Sequence, residues 1–306
     1  MRNYLMLILH ILKSFVKKTI GYLKYFFRPY IMLDGYIKFK NGQVIHNNFG
    51  DDINIPLLET LTGKKVNHIS QNKLRRIPRL LCIGSIIENY CCEKSIIWGS
   101  GCMYGNKIIN AKPKKVCAVR GELSRQVLLK QGIPCPKIYG DPALLLPYIY
   151  APHTEKKYKY GIIPHFHDYD LPHVKDFREN HPEIAFIRLR NYVSWQEVIE
   201  QICSCENIIS SSLHGLIISD AYNIPNVRVI FSDLILGGDF KYKDYFSGIG
   251  RQYIEPLDFR NDIYFDDIVL ELKNYKPITY SPQELLKAFP YDLHLKFQII
   301  AETGHL

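Results

Sequence analysis

Short apolar runs alternate with amphipathic segments along most of the 306-residue chain. Continuous apolar runs bounded by glycine or polar turns are typical of strands that a parallel sheet buries on both faces. Such runs predict strands at residues 80–83, 95–98, 116–119, 137–139, 160–163, 184–187, 207–209 and 227–230. Helical spacing predicts helices at residues 53–61, 121–131, 195–202 and 214–222, and a capped helix that begins at Ser281. One or two short strands around the Asn41-Gly42 turn come first.

The polar segment at residues 151–159 divides this pattern into two halves that repeat the same alternation of strands and helices. Strands that alternate with helices indicate doubly wound parallel sheets, whose ligands bind outside the carboxyl ends of the strands. We therefore predict an α/β protein with two Rossmann-like doubly wound domains that face each other across a cleft. The predicted domains span residues 31–150 and 151–306, and the second ends in a C-terminal helix.

Residues 1–30 are a basic segment that contains no acidic residue. The basic residues are Arg2, Lys13, Lys17, Lys18, Lys24 and Arg28, and the apolar stripe on helical spacing is Leu5, Leu9, Leu12, Val16, Ile20 and Leu23. The apolar run is too short to span a bilayer, and no small-residue cleavage site follows it. We predict an amphipathic helix in the headgroup layer of an anionic membrane, on the inner face of the cytoplasmic membrane. A helix docked on its own domain is the alternative.

The rest of the composition indicates a cytoplasmic globular protein. Six of the nine net positive charges lie in the first 30 residues, which argues against a nucleic-acid-binding body. The eight cysteines form no C-x-x-C pair, and several lie in apolar runs. We therefore predict reduced core cysteines and no metal site. The 22 tyrosines fit core packing and also weakly favour a carbohydrate partner.

The clearest chemical signal is the strand-to-helix turn at residues 210–215, with the sequence Ser-Ser-Ser-Leu-His-Gly. It places hydroxyls, free backbone N–H groups and one imidazole at the positive end of a helix, where phosphate and carboxylate groups bind. His214 is the main acid–base candidate of this turn. An ordinary helix with a serine cap is the alternative interpretation.

Two turns in the first half carry related chemistry. Residues 48–51, Asn-Phe-Gly-Asp, offer an amide and a carboxylate, and Asp51 or Asp52 is expected to cap the following helix. The Gly-Ser-Gly turn at residues 99–101 lets the backbone approach a ligand or another chain segment closely.

Arg120 is predicted to lie at the end of a strand, beside the start of a helix, and to point toward the cleft. The planar guanidinium group is suited to binding carboxylate or phosphate. An ion pair with a nearby acidic residue is the alternative interpretation of Arg120.

The second half adds two further basic groups. His165 and His167 directly follow a predicted strand, and no third ligand has metal-binding spacing, so we favour polar or acid–base roles. Lys241 belongs to residues 241–245, Lys-Tyr-Lys-Asp-Tyr, which follow a Gly-Gly hinge. This segment is interpreted either as a loop that faces the cleft or as a solvated surface.

Taken together, these motifs resemble the polysaccharide pyruvyl transferase family. The resemblance spans roughly residues 44–250 and rests on the motifs at residues 48–51, 98–101, 120–124, 140–145, 211–215 and 241–245. The chain is most similar to the branch of the family that acts on bacterial exopolysaccharide and capsule. The resemblance implies a fold like that of GT-B glycosyltransferases, without a metal or a cofactor. It also implies transfer of a pyruvyl group from phosphoenolpyruvate to two hydroxyls of a sugar, which can be lipid-linked, as a cyclic ketal.

The resemblance implies roles for individual residues. His214 would contact phosphate and move a proton, Asp51 would orient or deprotonate an acceptor hydroxyl, and His165 and His167 would be further acid–base candidates. Arg120 would bind the carboxylate or phosphate of the donor. The remaining substrate-binding residues would be Asn48, Gly50, Ser100, Gly101, Ser211, Ser212, Gly215 and Lys241.

One position departs from the family. Some members carry arginine two residues before the motif histidine, where this chain has Ser212. Anion binding must then come from backbone N–H groups, from Ser210 to Ser212, or from Arg188, Arg190 or Lys241. Two rival functions stay open: a GT-B glycosyltransferase that uses a nucleotide-sugar, and a non-catalytic polysaccharide assembly protein.

Overall fold

The structure is a computed structural model that describes Met6, Leu9, Leu12, Lys13, Phe15, Val16, Thr19 and Ile20, and then residues 30–72, 76–261 and 263–304. The eight N-terminal positions are helical. Two predicted stripe residues, Leu5 and Leu23, lie outside the described residues, as do five of the six basic residues of this segment. From Tyr30 onward, the described chain forms two parallel sheets and one short antiparallel hairpin. The predicted mixed α/β fold is therefore confirmed.

The first sheet contains five parallel strands from the first half of the chain. They are β1 (Ile31–Leu33), β4 (Val66–His68), β5 (Arg79–Leu81), β6 (Ser95–Trp98) and β7 (Lys115–Ala118), in the spatial order β4-β1-β5-β6-β7. The hairpin strands β2 (Phe39–Lys40) and β3 (Gln43–Val44) pair around Asn41 and Gly42. Both turn residues have positive φ, 52° and 82°, as a two-residue hairpin turn requires.

The second sheet repeats this arrangement. Its strands are β8 (Tyr158–Ile163), β9 (Ala185–Phe186), β10 (Cys205–Ser210), β11 (Asn226–Ile230) and β12 (Leu257–Asp258), in the order β12-β11-β10-β8-β9. When the strands of each sheet are counted in chain order, both sheets have the doubly wound order 2-1-3-4-5. The chain changes its direction of winding between β1 and β5 in the first sheet and between β8 and β10 in the second.

Helices connect and cover the strands. They are α1 (Phe49–Asp52), α2 (Asn54–Thr62), α3 (Ile69–Asn72), α4 (Ile87–Tyr90), α5 (Glu122–Lys130), α6 (Leu146–Ile149), α7 (Pro172–Asn180), α8 (Trp195–Cys203), α9 (Leu213–Ala221), α10 (Phe240–Gly248), α11 (Phe265–Lys273), α12 (Gln283–Lys287) and α13 (Leu295–Thr303), with a 3-10 turn at Pro142–Leu145. Gly63 and Gly132 take left-handed conformations after α2 and α5, where the sequence predicted the ends of helices. None of the described helices has the length and hydropathy that a membrane-spanning helix needs.

The strands are apolar throughout because each sheet is covered on both faces. Leu80 and Ile208 point into one large cluster, whereas their neighbours Leu81 and Ile209 point into two separate smaller clusters. Alternate residues of a strand face opposite sides of its sheet, so each sheet contributes one face to the large cluster. This shared core joins the two halves of the protein.

The end of the chain returns to the first half. Trp98 Nε1 donates a 2.7 Å hydrogen bond to the carbonyl of Leu285 in α12. His294 N, directly before α13, donates to the carbonyl of Leu61 at 2.7 Å. Helices α12 and α13 therefore pack against residues of the first half, although they follow the strands of the second sheet in sequence.

Three sequence predictions need correction. Residues 137–139 form no strand but a single parallel bridge between Val119 and Tyr139, after which Gly140 redirects the chain. Asp51 and Asp52 do not cap a helix, because both lie inside α1, where Asn48 holds the N-cap position. Residues 241–245 are neither loop nor solvated surface: they belong to α10, and four of these five residues are buried.

The predicted reduced cysteines are present. All eight are free thiols, and six of them are buried. Burial raises the pKa of the Cys91 thiol to about 12 and that of Cys205 to about 11. Thiols in this state are protonated and inert, which fits packing rather than chemistry.

Candidate active site

The chemical residues of the second half gather where its sheet changes winding direction. Ser210 at the end of β10 pairs with Ile163 at the end of β8, so the segments that follow both strands leave the same edge of the sheet. Doubly wound sheets bind ligands in the crevice outside this edge. Residues 164–168 and residues 211–214 therefore meet there.

Serine hydroxyls hold these two segments together. The N–H of His165 donates to Ser211 Oγ at 2.9 Å, and this hydroxyl in turn donates to Asp168 Oδ2 at 2.6 Å. Ser210 Oγ accepts a 3.0 Å hydrogen bond from the N–H of Ser212. Ser212 holds the N-cap position of α9, but its side chain makes no capping hydrogen bond. The serines thus shape the turn, and direct contact of Ser211 and Ser212 with a substrate stays a prediction.

His214 lies in the first turn of α9. Burial, together with the nearby charges of Arg120 and Lys241, lowers the pKa of His214 to about 3, so the imidazole is neutral at neutral pH. Its Nε2 atom is buried and has no hydrogen-bond partner among the described residues. Gly215, the next residue, packs closely on the Ser210 hydroxyl, where a Cβ would lie 2.3 Å from Oγ.

The turn at residues 48–51 of the first half contacts His214 directly. A Cβ atom added to Gly50 would lie 2.0 Å from His214 Nδ1, so only glycine leaves room for this ring. Asn48 Nδ2 donates to Asp51 Oδ2 at 2.5 Å. Burial and the neighbouring Asp52 raise the pKa of Asp51 well above its usual range. The structure therefore places Gly50 against the neutral imidazole of His214, and the next residue, Asp51, has a raised pKa.

An aromatic and polar group adjoins Asp51, and sequence reasoning missed it. Tyr192 donates from its hydroxyl to Asp52 Oδ2 at 2.9 Å, and its ring centre lies 4.5 Å from that of His46. Asp52 Oδ1 and His46 Nδ1 are buried without hydrogen-bond partners among the described residues. Tyr192 lies 140 residues after Asp52, so no local pattern announced this contact.

Lys241 supplies a cation to the same site. It is 6% exposed and forms no ion pair with any described residue. Burial and the charges of Arg120 and Arg228 lower its pKa to about 7, although Asp168 favours the charged form. Burial and Lys241 also lower the pKa of His165 to about 3. His167 is exposed, and its ring stacks on that of His165 at 5.3 Å.

Arg120 is completely buried, and residues of the protein occupy its donors. It forms an ion pair with Asp244 of α10 at 2.9 Å, and it donates to Ser85 Oγ and to the carbonyl of Cys102. The alternative interpretation of Arg120, an ion pair with an acidic residue, therefore describes its contacts. Direct binding of a substrate anion by Arg120 stays a prediction.

The Gly-Ser-Gly turn serves Arg120 in this structure. Ser100 Oγ donates to the carbonyl of Gly84 at 2.8 Å, and a Cβ on Gly101 would lie 2.4 Å from Arg120 Cζ. The backbone at Gly101 thus approaches the guanidinium group rather than an open space. Substrate contact by Ser100 and Gly101 also stays a prediction.

The other arginines named as anion-binding candidates lie differently. Arg188 is exposed beside the ring of Tyr169, and Arg190 lies over Phe166 with a buried Nε atom that has no partner among the described residues. Arg228, which sequence reasoning missed, stacks on Tyr242 with its Cζ atom 3.7 Å from the ring centre. Its Nη2 atom forms an ion pair with Asp239. Lys241 is thus the buried cation that contacts no acidic residue within the described chain.

Within the described ranges, no group of three or more histidine, cysteine, aspartate or glutamate side chains is placed to hold a metal ion. The described side chains of the site are acids, bases and cations around a helix N-terminus. Two doubly wound sheets with such a site at a winding switch define an α/β protein with a candidate anion-binding site.

Comparison with known proteins makes this class more specific. The sequence model of the polysaccharide pyruvyl transferase family matches residues 48–233, well over half of the chain. The chain therefore belongs to the polysaccharide pyruvyl transferase family, as its motifs had indicated. The matched region contains the turns at residues 48–51 and 210–215, but it ends before Lys241.

Two proteins are similar to this chain over about two thirds of its length. An uncharacterized protein of Acanthamoeba polyphaga mimivirus is 29% identical over 207 residues, which cover 66% of this chain and 71% of that protein. The succinoglycan biosynthesis protein ExoV of Rhizobium meliloti (strain 1021) is 27% identical over 220 residues. This match covers 68% of the present chain and 63% of the length of ExoV.

Proposed function

We propose that the protein transfers a pyruvyl group from phosphoenolpyruvate to two hydroxyls of a sugar and forms a cyclic ketal in exopolysaccharide or capsule biosynthesis. Membership of the family and the similarity to a succinoglycan biosynthesis protein support the pyruvyl group and the polysaccharide. We also propose that the two halves act as facing domains, as in GT-B enzymes, with the donor between the turns at residues 48–51 and 210–215.

One observation carries the choice of an anionic donor. Lys241 is buried beside His165 and His214, and no described carboxylate forms an ion pair with it. A buried charge without a partner is costly unless something compensates it. Phosphoenolpyruvate carries about three negative charges, and the N-terminus of α9 adds a further favourable dipole. A donor anion would therefore supply the missing negative charge.

The reaction requires one proton to be added and two to be removed. Protonation of the methylene carbon of phosphoenolpyruvate leaves a cation at the adjacent carbon, and a sugar hydroxyl attacks that carbon as its own proton is removed. The second hydroxyl then forms the other C–O bond, loses its proton, and displaces inorganic phosphate. The products are the ketal and phosphate: one of the two hydroxyl protons replaces the proton given to the methylene carbon, and the other leaves with the phosphate as HPO4²⁻.

The pKa shifts of Asp51 and His214 indicate which residue would donate a proton and which would accept one. Burial raises the pKa of Asp51 and so favours its protonated form, and we propose Asp51 as the acid that protonates the methylene carbon. His214 is neutral in the free protein and gains basicity when a trianion binds beside it, so we propose it as the base for the hydroxyl. This assignment differs from the one that the motifs implied, in which Asp51 would orient or deprotonate the hydroxyl and His214 would contact phosphate and move a proton. His165 and Lys241 would hold the phosphate.

The acceptor sugar would lie on the side of Asp52 and Tyr192. Sugars present apolar ring faces and rows of hydroxyls, which aromatic rings and carboxylates bind well. The Tyr192 and His46 rings and the unpartnered Asp52 Oδ1 atom offer both kinds of contact. In this position the acceptor would lie beside the donor whose methylene carbon Asp51 protonates.

The experiment is phosphate release from phosphoenolpyruvate in the presence of galactose-, glucose- and mannose-terminated acceptors, with product analysis for the ketal. We expect phosphate release that depends on one acceptor class. Hydrolysis of a nucleotide-sugar without phosphoenolpyruvate turnover would support a glycosyltransferase instead. Failure to bind phosphoenolpyruvate in calorimetry would support a non-catalytic assembly protein.

A further inference from the structure

The N-terminal helix exposes a stripe of large apolar side chains. Leu9, Leu12, Val16 and Ile20 are 48%, 53%, 52% and 46% exposed. Their spacing of three, four and four residues places them on one face of a helix. These four residues, called the N-terminal stripe here, line an open groove together with Lys13. Contiguous exposed apolar surface of this kind marks a site of interaction.

The charge of the segment identifies the partner. Lys13 borders the N-terminal stripe and is exposed, and the first 30 residues contain six basic residues and no acidic one. An apolar face bordered by basic side chains is the pattern of helices that lie in the headgroup layer of a membrane. Each basic residue is attracted by the negative potential of an anionic leaflet.

A second copy of the chain is a poorer partner for this face. Two segments with six basic residues each would repel one another, and neither has an acidic residue to pair with. The segment also lies outside residues 48–233, so the part of the chain that matches the family does not include it.

We propose that the N-terminal stripe inserts into the headgroup layer of an anionic lipid bilayer and that Lys13 and the other basic residues of the segment attract the helix to that surface. The helix lies on the membrane and does not cross it. This proposal does not depend on the pyruvyl transfer proposed above, because it concerns lipid binding alone.

The test is flotation of the full-length protein with vesicles of phosphatidylcholine alone and of phosphatidylcholine mixed with phosphatidylglycerol. We expect binding to the mixed vesicles, little binding to the neutral ones, and release as the salt concentration rises. Leu12→Asp places a charge in the centre of the stripe and should reduce binding at least tenfold. The matched control is Leu270→Asp, an exposed leucine on α11 that is 59% exposed, and it should bind like the wild type.

A second variant separates lipid binding from folding. Lys13→Glu changes an exposed side chain by two charge units, so it should lower binding by roughly 25-fold, at about fivefold per charge. Circular dichroism checks that both variants are folded. Equal binding of wild type, Leu12→Asp and Lys13→Glu to mixed vesicles would overturn the proposal. So would self-association that Leu12→Asp abolishes without any vesicle binding, because the stripe would then be an interface between copies.

Discussion

Arg120 and Lys241 are both buried cations, but only one of them has a counter-charge. Arg120 is 0% exposed and pairs with Asp244, whose carboxylate also accepts hydrogen bonds from the N–H and hydroxyl of Ser124 at 2.6 and 2.7 Å. Lys241 is 6% exposed, and no described carboxylate forms an ion pair with it. Arg120 lies near enough to Lys241 to lower the pKa of this lysine.

This difference in counter-charge favours a structural role for Arg120 and a ligand-binding role for Lys241. A buried cation that is paired with a carboxylate helps to hold two segments together. Removing that carboxylate leaves the cation uncompensated and destabilises the fold. A buried cation without a partner destabilises the free protein and gains its compensation from a ligand. The contacts of Arg120 make it a connection between the two halves, and its binding of a substrate stays a prediction.

Asp244→Ala should produce the largest effect. The substitution leaves Arg120 and the Ser124 groups buried without their acceptor, so we expect the free energy of unfolding to fall by about 3–5 kcal/mol. Urea unfolding followed by circular dichroism measures this loss. The control is Asp233→Ala, which removes an exposed ion pair with Arg260 and should leave the midpoint close to that of the wild type. Equal midpoints for both variants would show that the Arg120 pair is not structural.

His214→Ala should leave the fold intact and remove transfer activity. Acid–base groups contribute about 10²–10⁴-fold to the rate, and we expect kcat to fall within that range. His181→Ala is the control, because His181 pairs with Glu183 on the surface and should keep the wild-type rate. If His214→Ala retained more than half of the rate, His214 would not be the base.

Lys241→Met tests the other side of the comparison. Methionine fills a similar volume without a charge, so the free energy of unfolding should stay equal or rise, while the affinity for phosphoenolpyruvate should fall roughly 10–100-fold. Calorimetry and urea unfolding measure the two quantities on the same sample. Lys243→Met, on the same helix but more exposed, should leave the affinity unchanged. Destabilisation with unchanged affinity would give Lys241 a structural role.

The smallest effect expected is a pH dependence of donor binding. Because the pKa of Lys241 is about 7 in the folded protein, donor binding above this pH requires uptake of a proton. The affinity should therefore fall above pH 7, by at most about tenfold per pH unit. Lys241→Met should flatten this profile. A wild-type profile with the same slope as that of the variant would exclude Lys241 from donor binding.

The effect of Lys241 on the stability of the fold changes with pH in the opposite direction to its effect on donor binding. Its pKa is lowered in the folded state, so the unfolded chain binds this proton more readily, and the stability deficit is complete below about pH 7. The deficit shrinks as the pH rises from about 7 toward the usual lysine value of about 10.4. The stability gained by Lys241→Met should shrink over the same range.

The sequence predicts the strands better than it predicts the site. Apolar runs such as Leu80-Leu81 are visible because strands buried on both faces must be apolar throughout. The Arg120–Asp244 pair spans 124 residues, and no local pattern shows which acid reaches a given arginine. Helix α10 was also missed, because its polar and aromatic residues have no apolar face of helical period: one side packs on the first half and another faces the site.

The position of Lys241 and Asp244 on one short helix has a consequence for the evolution and engineering of this protein. The two residues are three positions apart, so they lie about one turn apart on α10. The pair with Arg120 fixes this turn in the folded protein, so Lys241 is held in place before any donor arrives. Selection for heat resistance alone would therefore favour loss of Lys241, since we expect the empty protein to be at least as stable without it. Thermostable variants would be enriched for loss of donor binding, and a screen for stability needs an activity filter at this position.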